Sequence, residues 1–232
     1  MAARRADRGQ ADRAELGPLP GGHHGLSREQ VIESQRERLL AGIAQACAAN
    51  GYRATTITQI VKAASVSSRA FYELFESKEE CFLVAFDAVV GHVEDLVAAA
   101  AQEEPDWPHQ VIGGLRAALR FFTEEPDLAR LCLVEPVTAT PVIATRFRDV
   151  VIDKARALKP GRLERGEPDE LPDSTEDSLL GGLIALISRS ILAGDADSLE
   201  DLLPDLLDFV LSPYLGPEGA RQVVAELAES PS

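Results

Sequence analysis

Between positions 56 and 72 the chain gathers six side chains that donate hydrogen bonds: Thr56, Thr58, Ser67, Ser68, Arg69 and Tyr72. Hydroxyls next to the free N–H groups of a helix N-terminus suit a phosphate. The planar guanidinium of Arg69 suits two targets equally, the paired acceptors on a guanine edge or a phosphate oxygen. Tyr72 reads either as a phosphate or sugar contact through its hydroxyl or as a half-buried packing ring. Glu73 points the same way and either accepts from a cytosine amino group or pairs with Arg69. The chemistry these groups offer is recognition of a nucleic-acid duplex.

Short, rigid elements are needed to hold such groups. Thr56 followed three residues later by Gln59 has capping-box spacing and predicts a helix start. Ile57, Ile60 and Val61 then give that helix one apolar face. Ser65-Val66-Ser67 breaks the period with hydroxyl residues that favour turns and caps. A second short helix follows, with Phe71 and Phe75 inward and Arg69, Tyr72, Glu73 and Glu76 outward. Ser77 with Glu80 predicts another capping box and the start of a longer helix. Two short helices around a tight turn, over 56–75, outline a helix-turn-helix DNA reader.

The run VSSRAFYELFESKE, Val66 to Glu79, resembles the signature of tetracycline-repressor-like (TetR) regulators. The preceding QRERLLAGIAQACAANGYRATTITQIVKAA, Gln35 to Ala64, is similar to the first two helices of that family. The resemblance covers Gln35 to Val90 well and then rests on helical layout. It implies an all-α fold: an N-terminal three-helix helix-turn-helix DNA-binding domain plus a larger C-terminal helical ligand-binding and dimerisation domain. It also gives Lys78 the role of the family's phosphate clamp. Two positions depart from the pattern. Ser65 stands where the family usually has Gly in the turn, and Leu74 where it often has His.

Net charge is −15, which taken alone argues against a nucleic-acid partner. The distribution removes the objection. Through Val90 there are 11 basic and 11 acidic residues, and from Gly91 onward 12 against 27. A neutral first half carrying an acidic second half fits a DNA reader with a domain that faces away from DNA. Cys47, Cys81 and Cys132 are odd in number and without C-x-x-C spacing, so a disulfide framework or a zinc site is not expected. The first residues lack the apolar core of a signal peptide, and no run of 18 apolar residues exists to span a membrane. The expected location is cytoplasmic.

Residues 1–26 carry four Arg with Gly, Pro and the pair His23-His24, and show no apolar period. They read as a disordered basic tail, or as an arm touching DNA phosphates or a minor groove. A DNA-binding domain over 27–90 follows. Ser27 with Gln30 caps its first helix, whose inner face is Leu39, Leu40, Ile43, Ala44 and Cys47, and Asn50-Gly51 stops it. The helix after Ser77 buries Phe82, Phe86, Val89, Val93, Leu96 and Val97 and ends at Glu103-Glu104-Pro105. Residues 91–232 form the ligand-binding and dimerisation domain. Helices are expected over 111–122, 126–135 and 140–158, and a loop over 159–175. Leu180 to Ile191 lines one further helix. Leu199 to Leu211 lines another, capped by Asp197 with Glu200. The second stripe is wide enough to meet its own core and another chain, and in the TetR family two such helices per subunit build a four-helix homodimer bundle. Gly216-Pro217 opens a short last helix.

Apolar residues on the middle helices are candidates for a small-molecule pocket: Trp107, Leu115, Leu119, Phe122, Cys132, Phe147 and Ile184. His92, His109, Arg116 and Arg120 are candidates for its polar groups. The family resemblance implies a pocket in this half without naming its walls, and a ligand that is small and apolar or amphipathic. No G-x-S-x-G, P-loop, G-x-G-x-x-G or H-E-x-x-H is present, so no enzyme, cofactor or metal is expected. The expected protein is a dimeric DNA-binding transcriptional regulator, a repressor released from a palindromic operator by a small-molecule effector. The alternatives are an effector-independent nucleoid-type DNA binder, against which the acidic composition counts, and a helical enzyme.

Overall fold

Local signals at the helix starts account for most of the architecture. In the computed structural model, which describes residues 27–165 and 171–229, Ser27 opens α1 (Arg28–Asn50) with a full capping box to Gln30. Thr56 does the same for α2 (Ile57–Ala63) with Gln59. Ser67 accepts from the Ala70 N–H and opens α3 (Ser68–Leu74). Ser77 opens α4 (Lys78–Gln102), where its hydroxyl accepts the Glu80 N–H. The expected box is only half formed there, because the Glu80 carboxylate reaches one residue further back and accepts from the Glu76 N–H. Each such cap is worth about 1 kcal/mol to a short helix.

The turn between α2 and α3 is tighter than its composition announces. Val66 N–H bonds to the Val61 carbonyl and Ser65 N–H to that of Lys62, a Schellman closure. That closure places Ser65 at φ 53, the left-handed region where glycine is at ease. The helices then cross closely. A side chain at Gly42 of α1 would lie 2.9 Å from the Ile60 carbonyl oxygen and the Ala64 methyl, so α1 accepts α2 only with glycine there.

The core of this head continues into the body. Leu39, Ile43, Ile60, Phe71, Phe82 and Phe86 are buried in the same cluster as Leu119, Leu131, Ile143, Leu183 and Leu206. Helix α4 runs through both parts, and at 25 residues it is about 38 Å long. Against it pack α5 (Trp107–Glu124), α6 (Pro126–Leu133) and, through Phe147 on Phe86, α8 (Pro141–Ala155). The short α7 (Glu135–Thr138) joins α6 to α8, and α9 (Thr175–Ala193) and α10 (Leu203–Glu229) pack further out, α9 on α6 and α8 and α10 on α5. Among the described residues there is no strand, and no helix is long and apolar enough to cross a membrane.

Several expectations about the body need correction. Helix α5 starts at Trp107, four residues before the apolar period, because Asp106 caps it through the His109 N–H. Helix α8 stops at Ala155 instead of 158, and a 3-10 helix (Arg156–Leu163) runs into the expected loop, its Gly161 seating the ring of Trp107. Residues 196–202 are also a 3-10 helix, so Asp197 and Glu200 cap nothing and α10 begins only at Leu203. Most of the proposed dimer stripe faces its own chain. Leu183, Ile187, Ile191, Leu199, Leu206, Leu207, Val210 and Leu211 are all buried within the single subunit. A wide stripe is what two layers of one body require, since α9 and α10 each pack on neighbours from two sides. Leu180 and Ile184 stay half-buried, and Phe209 and Leu192 stay exposed. The break expected at Gly216-Pro217 is present, with Gly216 at φ 74 inside α10. The tail over 1–26 lies outside the described residues.

All three cysteines are buried. Burial pushes the thiol of Cys47 up to about 11 and those of Cys81 and Cys132 up to about 12, so none is a thiolate nucleophile near neutrality.

Candidate nucleic-acid interface

The reading helix α3 is anchored from behind. Phe71 and Phe75 are buried with their rings 5.7 Å apart, and full burial of one such ring is worth about 1.5–3 kcal/mol. Anchoring that side leaves the other side in solvent. The Arg69 side chain is 89% exposed, and its Nε donates to Glu73 at 2.8 Å one turn on. An exposed i,i+4 pair of this kind is weak and exchanges readily for a stronger acceptor. Tyr72 is 61% exposed and meets Phe71 edge-on at 5.5 Å, so its hydroxyl end is free of the core. Ser67 and Ser68 stand at the N-terminus of α3, and Thr56 and Thr58 at that of α2, all four exposed. All six are exposed, four at the starts of α2 and α3 and two on the solvent side of α3.

Lys78 is placed differently. Its ammonium turns inward, donates to the carbonyls of Tyr52 (2.8 Å) and Thr55 (2.7 Å), and sits 4.2 Å from the centroid of the Tyr52 ring. Two of its three donors thus tie the start of α4 to the segment that leads into α2. Thr55 is held in the same knot, its hydroxyl 3.0 Å from the Ala46 carbonyl and 2.8 Å from that of Gly51. Burial, with the Glu79 carboxylate as a smaller cause, pushes the Tyr52 hydroxyl up to about 12.

The seven pocket candidates do not converge. Trp107 is buried in a separate cluster, its ring 5.0 Å from that of Tyr214. Leu119, Phe122 and Cys132 are buried in the main core, with Leu115 packed against it. Phe147 and Ile184 line a groove of about 590 Å³ bordered by α6, α7, α8 and α9, and the other five are not among its lining residues. None of His92, His109, Arg116 and Arg120 reaches it; its charged residues are Arg130 and Glu135. Sequence reading missed both. The pattern that marks them, an Arg and a Glu five apart in a broken helix, is too common to single out. Glu135 is 4% exposed, accepts from Arg130 Nε at 2.9 Å and from the backbone N–H of Tyr52 at 2.6 Å. Gly51, at φ 75, sets the chain reversal that aims this N–H at the carboxylate. No cluster able to hold a metal ion exists among the described residues.

A three-helix head presenting a polar helix face, carried on an all-helical body, is the architecture of a helix-turn-helix DNA-binding protein. Residues 39–85 match the family described as bacterial regulatory proteins, tetR family. Comparison with curated protein sequences returned no match. Solved structures share the fold over most of the chain. The fatty acid degradation regulator FadR from Bacillus halodurans is similar at a TM-score of 0.69 and 17% identity, over 76% of this chain and 94% of that one. FadR from Bacillus subtilis in complex with stearoyl-CoA follows at 0.64 and 15%, over 76% and 97%. A TetR family transcription regulator from Marinobacter aquaeolei VT8 reaches 0.58 and 21%, over 77% and 97%.

Proposed function

We propose that the chain is a repressor that binds a palindromic operator as a homodimer and leaves it when a small molecule binds the body. The observation that carries the DNA-binding part is the exposed face of α3, where Arg69 and Tyr72 project from a helix buried on its other side by Phe71 and Phe75. In this reading Ser67, Ser68, Arg69 and Tyr72 meet the major groove, and Thr56 and Thr58 meet flanking phosphates. Residues 27–90 act as the reading head and 91–232 as the sensing and pairing half. The exposed Phe209 of α10 and Leu192 of α9, with the half-buried Leu180 and Ile184 of α9, are apolar groups available to a second copy. Pairing doubles the readout, with half-sites roughly 34–36 Å or a multiple apart. Bacillus subtilis FadR, of like fold, was solved with stearoyl-CoA, which supports an apolar or amphipathic effector for the body. A DNA target fits a cytoplasmic location.

The test is fluorescence anisotropy on the DNA upstream of the gene, against a scrambled duplex, over a series of salt concentrations. Tight binding to the native fragment and weak binding to the scramble is the expected result. Equal binding to both, collapsing with salt, leaves only the phosphate term and contradicts the reading.

A further inference from the structure

We propose that the groove beside α6 and α7 is the binding site for a small amphipathic anion, and that its occupancy releases a latch between the body and the DNA-binding head. The proposal rests on the reading of the chain as an effector-controlled regulator. Its evidence is local. The groove walls are apolar, with Val137, Phe147, Val151, Ile184 and Leu192 among them. Its one lining cation is Arg130, whose side chain is 30% exposed. That guanidinium gives only its Nε–H to the protein, to Glu135. Its two Nη groups have no protein partner among the described residues, and they form a planar edge suited to a carboxylate, sulfonate or phosphate ester. A cation over an apolar trough selects an anion with a hydrocarbon tail. A neutral hydrocarbon leaves the guanidinium edge unused.

The second half of the proposal follows from what stands behind Arg130. Glu135 is buried, and it is the acceptor for the first backbone N–H after the α1 reversal, that of Tyr52. Thr138, three residues on from Glu135 and on the same groove, accepts from Arg53 Nε at its carbonyl at 2.7 Å. Thr140 at the start of α8 donates its hydroxyl to Glu79. Glu135 and Thr138 of the groove, with Thr140 two residues beyond it, therefore hold the head by three polar contacts. An anion that draws the guanidinium of Arg130 toward itself leaves a buried carboxylate without its counter-charge. A buried carboxylate deprived of its partner is strongly unfavourable, so Glu135 moves toward solvent and gives up the Tyr52 N–H. The turn between α1 and α2 then loses its attachment to the body.

The test is calorimetric titration of the full chain without DNA, using octanoate, octan-1-ol and octylammonium, which differ in headgroup alone. Octanoate is expected to bind about tenfold tighter than octan-1-ol, the scale of one charged hydrogen bond, with octylammonium weakest. Lengthening octanoate to decanoate is expected to add about fourfold per methylene, as burial of the tail requires. Arg130→Gln removes the preference for the acid and Arg130→Lys retains part of it. Equal binding of acid and alcohol, preference for the ammonium, or no binding at all overturns the anion site, and the native chain suffices for that comparison. Hydrogen exchange at the Tyr52 amide reads the latch. Its protection is expected to fall when octanoate binds, and unchanged protection in the saturated complex overturns the coupling. Neither measurement involves DNA, so failure of the regulator reading shows separately, as loss of discrimination between native and scrambled duplex.

Discussion

Replacing Lys78 with Ala removes the knot between α4 and the segment ahead of α2. The two hydrogen bonds lost, at 2.8 and 2.7 Å, come from a charged donor to backbone carbonyls. Bonds of that kind contribute about 1.5–3 kcal/mol each, and partial solvent access puts these at the lower end. The ammonium also stands 4.2 Å from the Tyr52 ring centroid, a contact worth about 0.5–1 kcal/mol. The expected loss is about 3.5–4 kcal/mol, or roughly 7–16 °C in Tm for a chain of this length. Calorimetric melting of Lys78→Ala beside the native protein measures it directly. Anisotropy against salt supplies the second readout. A lysine that spends its donors inside the protein leaves the salt slope as it was, whereas a lost phosphate contact lowers the slope by about 0.9. A variant that melts with the native protein and binds with a flatter slope refutes the internal knot and restores Lys78 to the DNA surface.

Arg69→Ala is expected to relax base preference at a single operator position by about 1–3 kcal/mol, read from affinities over a panel of single-base variants. A loss spread evenly over the panel assigns Arg69 to a phosphate instead. Ser65→Gly is expected to leave the urea midpoint no lower than native, while Ser65→Val lowers stability by about 1–2 kcal/mol, because a β-branched residue resists the left-handed turn. Glu176→Gln breaks a fork in which Arg162 Nε and Nη2 grip the carboxylate at 2.6 and 2.9 Å, and is expected to lower Tm at neutral pH. Arg162 holds the Glu176 carboxyl below the ordinary carboxylate range, so this stabilisation is present at neutrality and disappears as the pH falls toward the folded value. The gap in Tm between native and Glu176→Gln protein is thus expected to close in acid, and a constant gap contradicts the ion pair.

The head was largely legible because its determinants are close in sequence. Ser27 with Gln30 and Thr56 with Gln59 form their caps across three residues, and Phe71 and Phe75 share a face by spacing alone. Ser65 was harder. Its left-handed backbone is imposed by the Schellman closure, and serine carries no mark of it. The body resisted because its determinants are distant. The Tyr52 N–H and Glu135 are 83 positions apart, and nothing in either segment announces the other. Gly161 and Pro160 read as loop, yet the glycine is there to admit the ring of Trp107. A leucine stripe such as Leu199–Leu211 reports that apolar faces are buried and is silent on which chain buries them. The same silence explains the pocket list, since Leu119 and Phe147 look alike in sequence and only one of them borders a cavity.

The sealed thiols have a practical consequence. Cys47, Cys81 and Cys132 are all interior, with their thiolate forms suppressed near neutrality, so maleimide and iodoacetamide reagents find no native competitor on the surface. A single cysteine introduced at an exposed position of the head, such as Thr58, becomes the preferred labelling site without stripping the native three. Two such spin labels in a dimer would report the separation of the reading heads with and without octanoate, in the unaltered core of the wild-type protein.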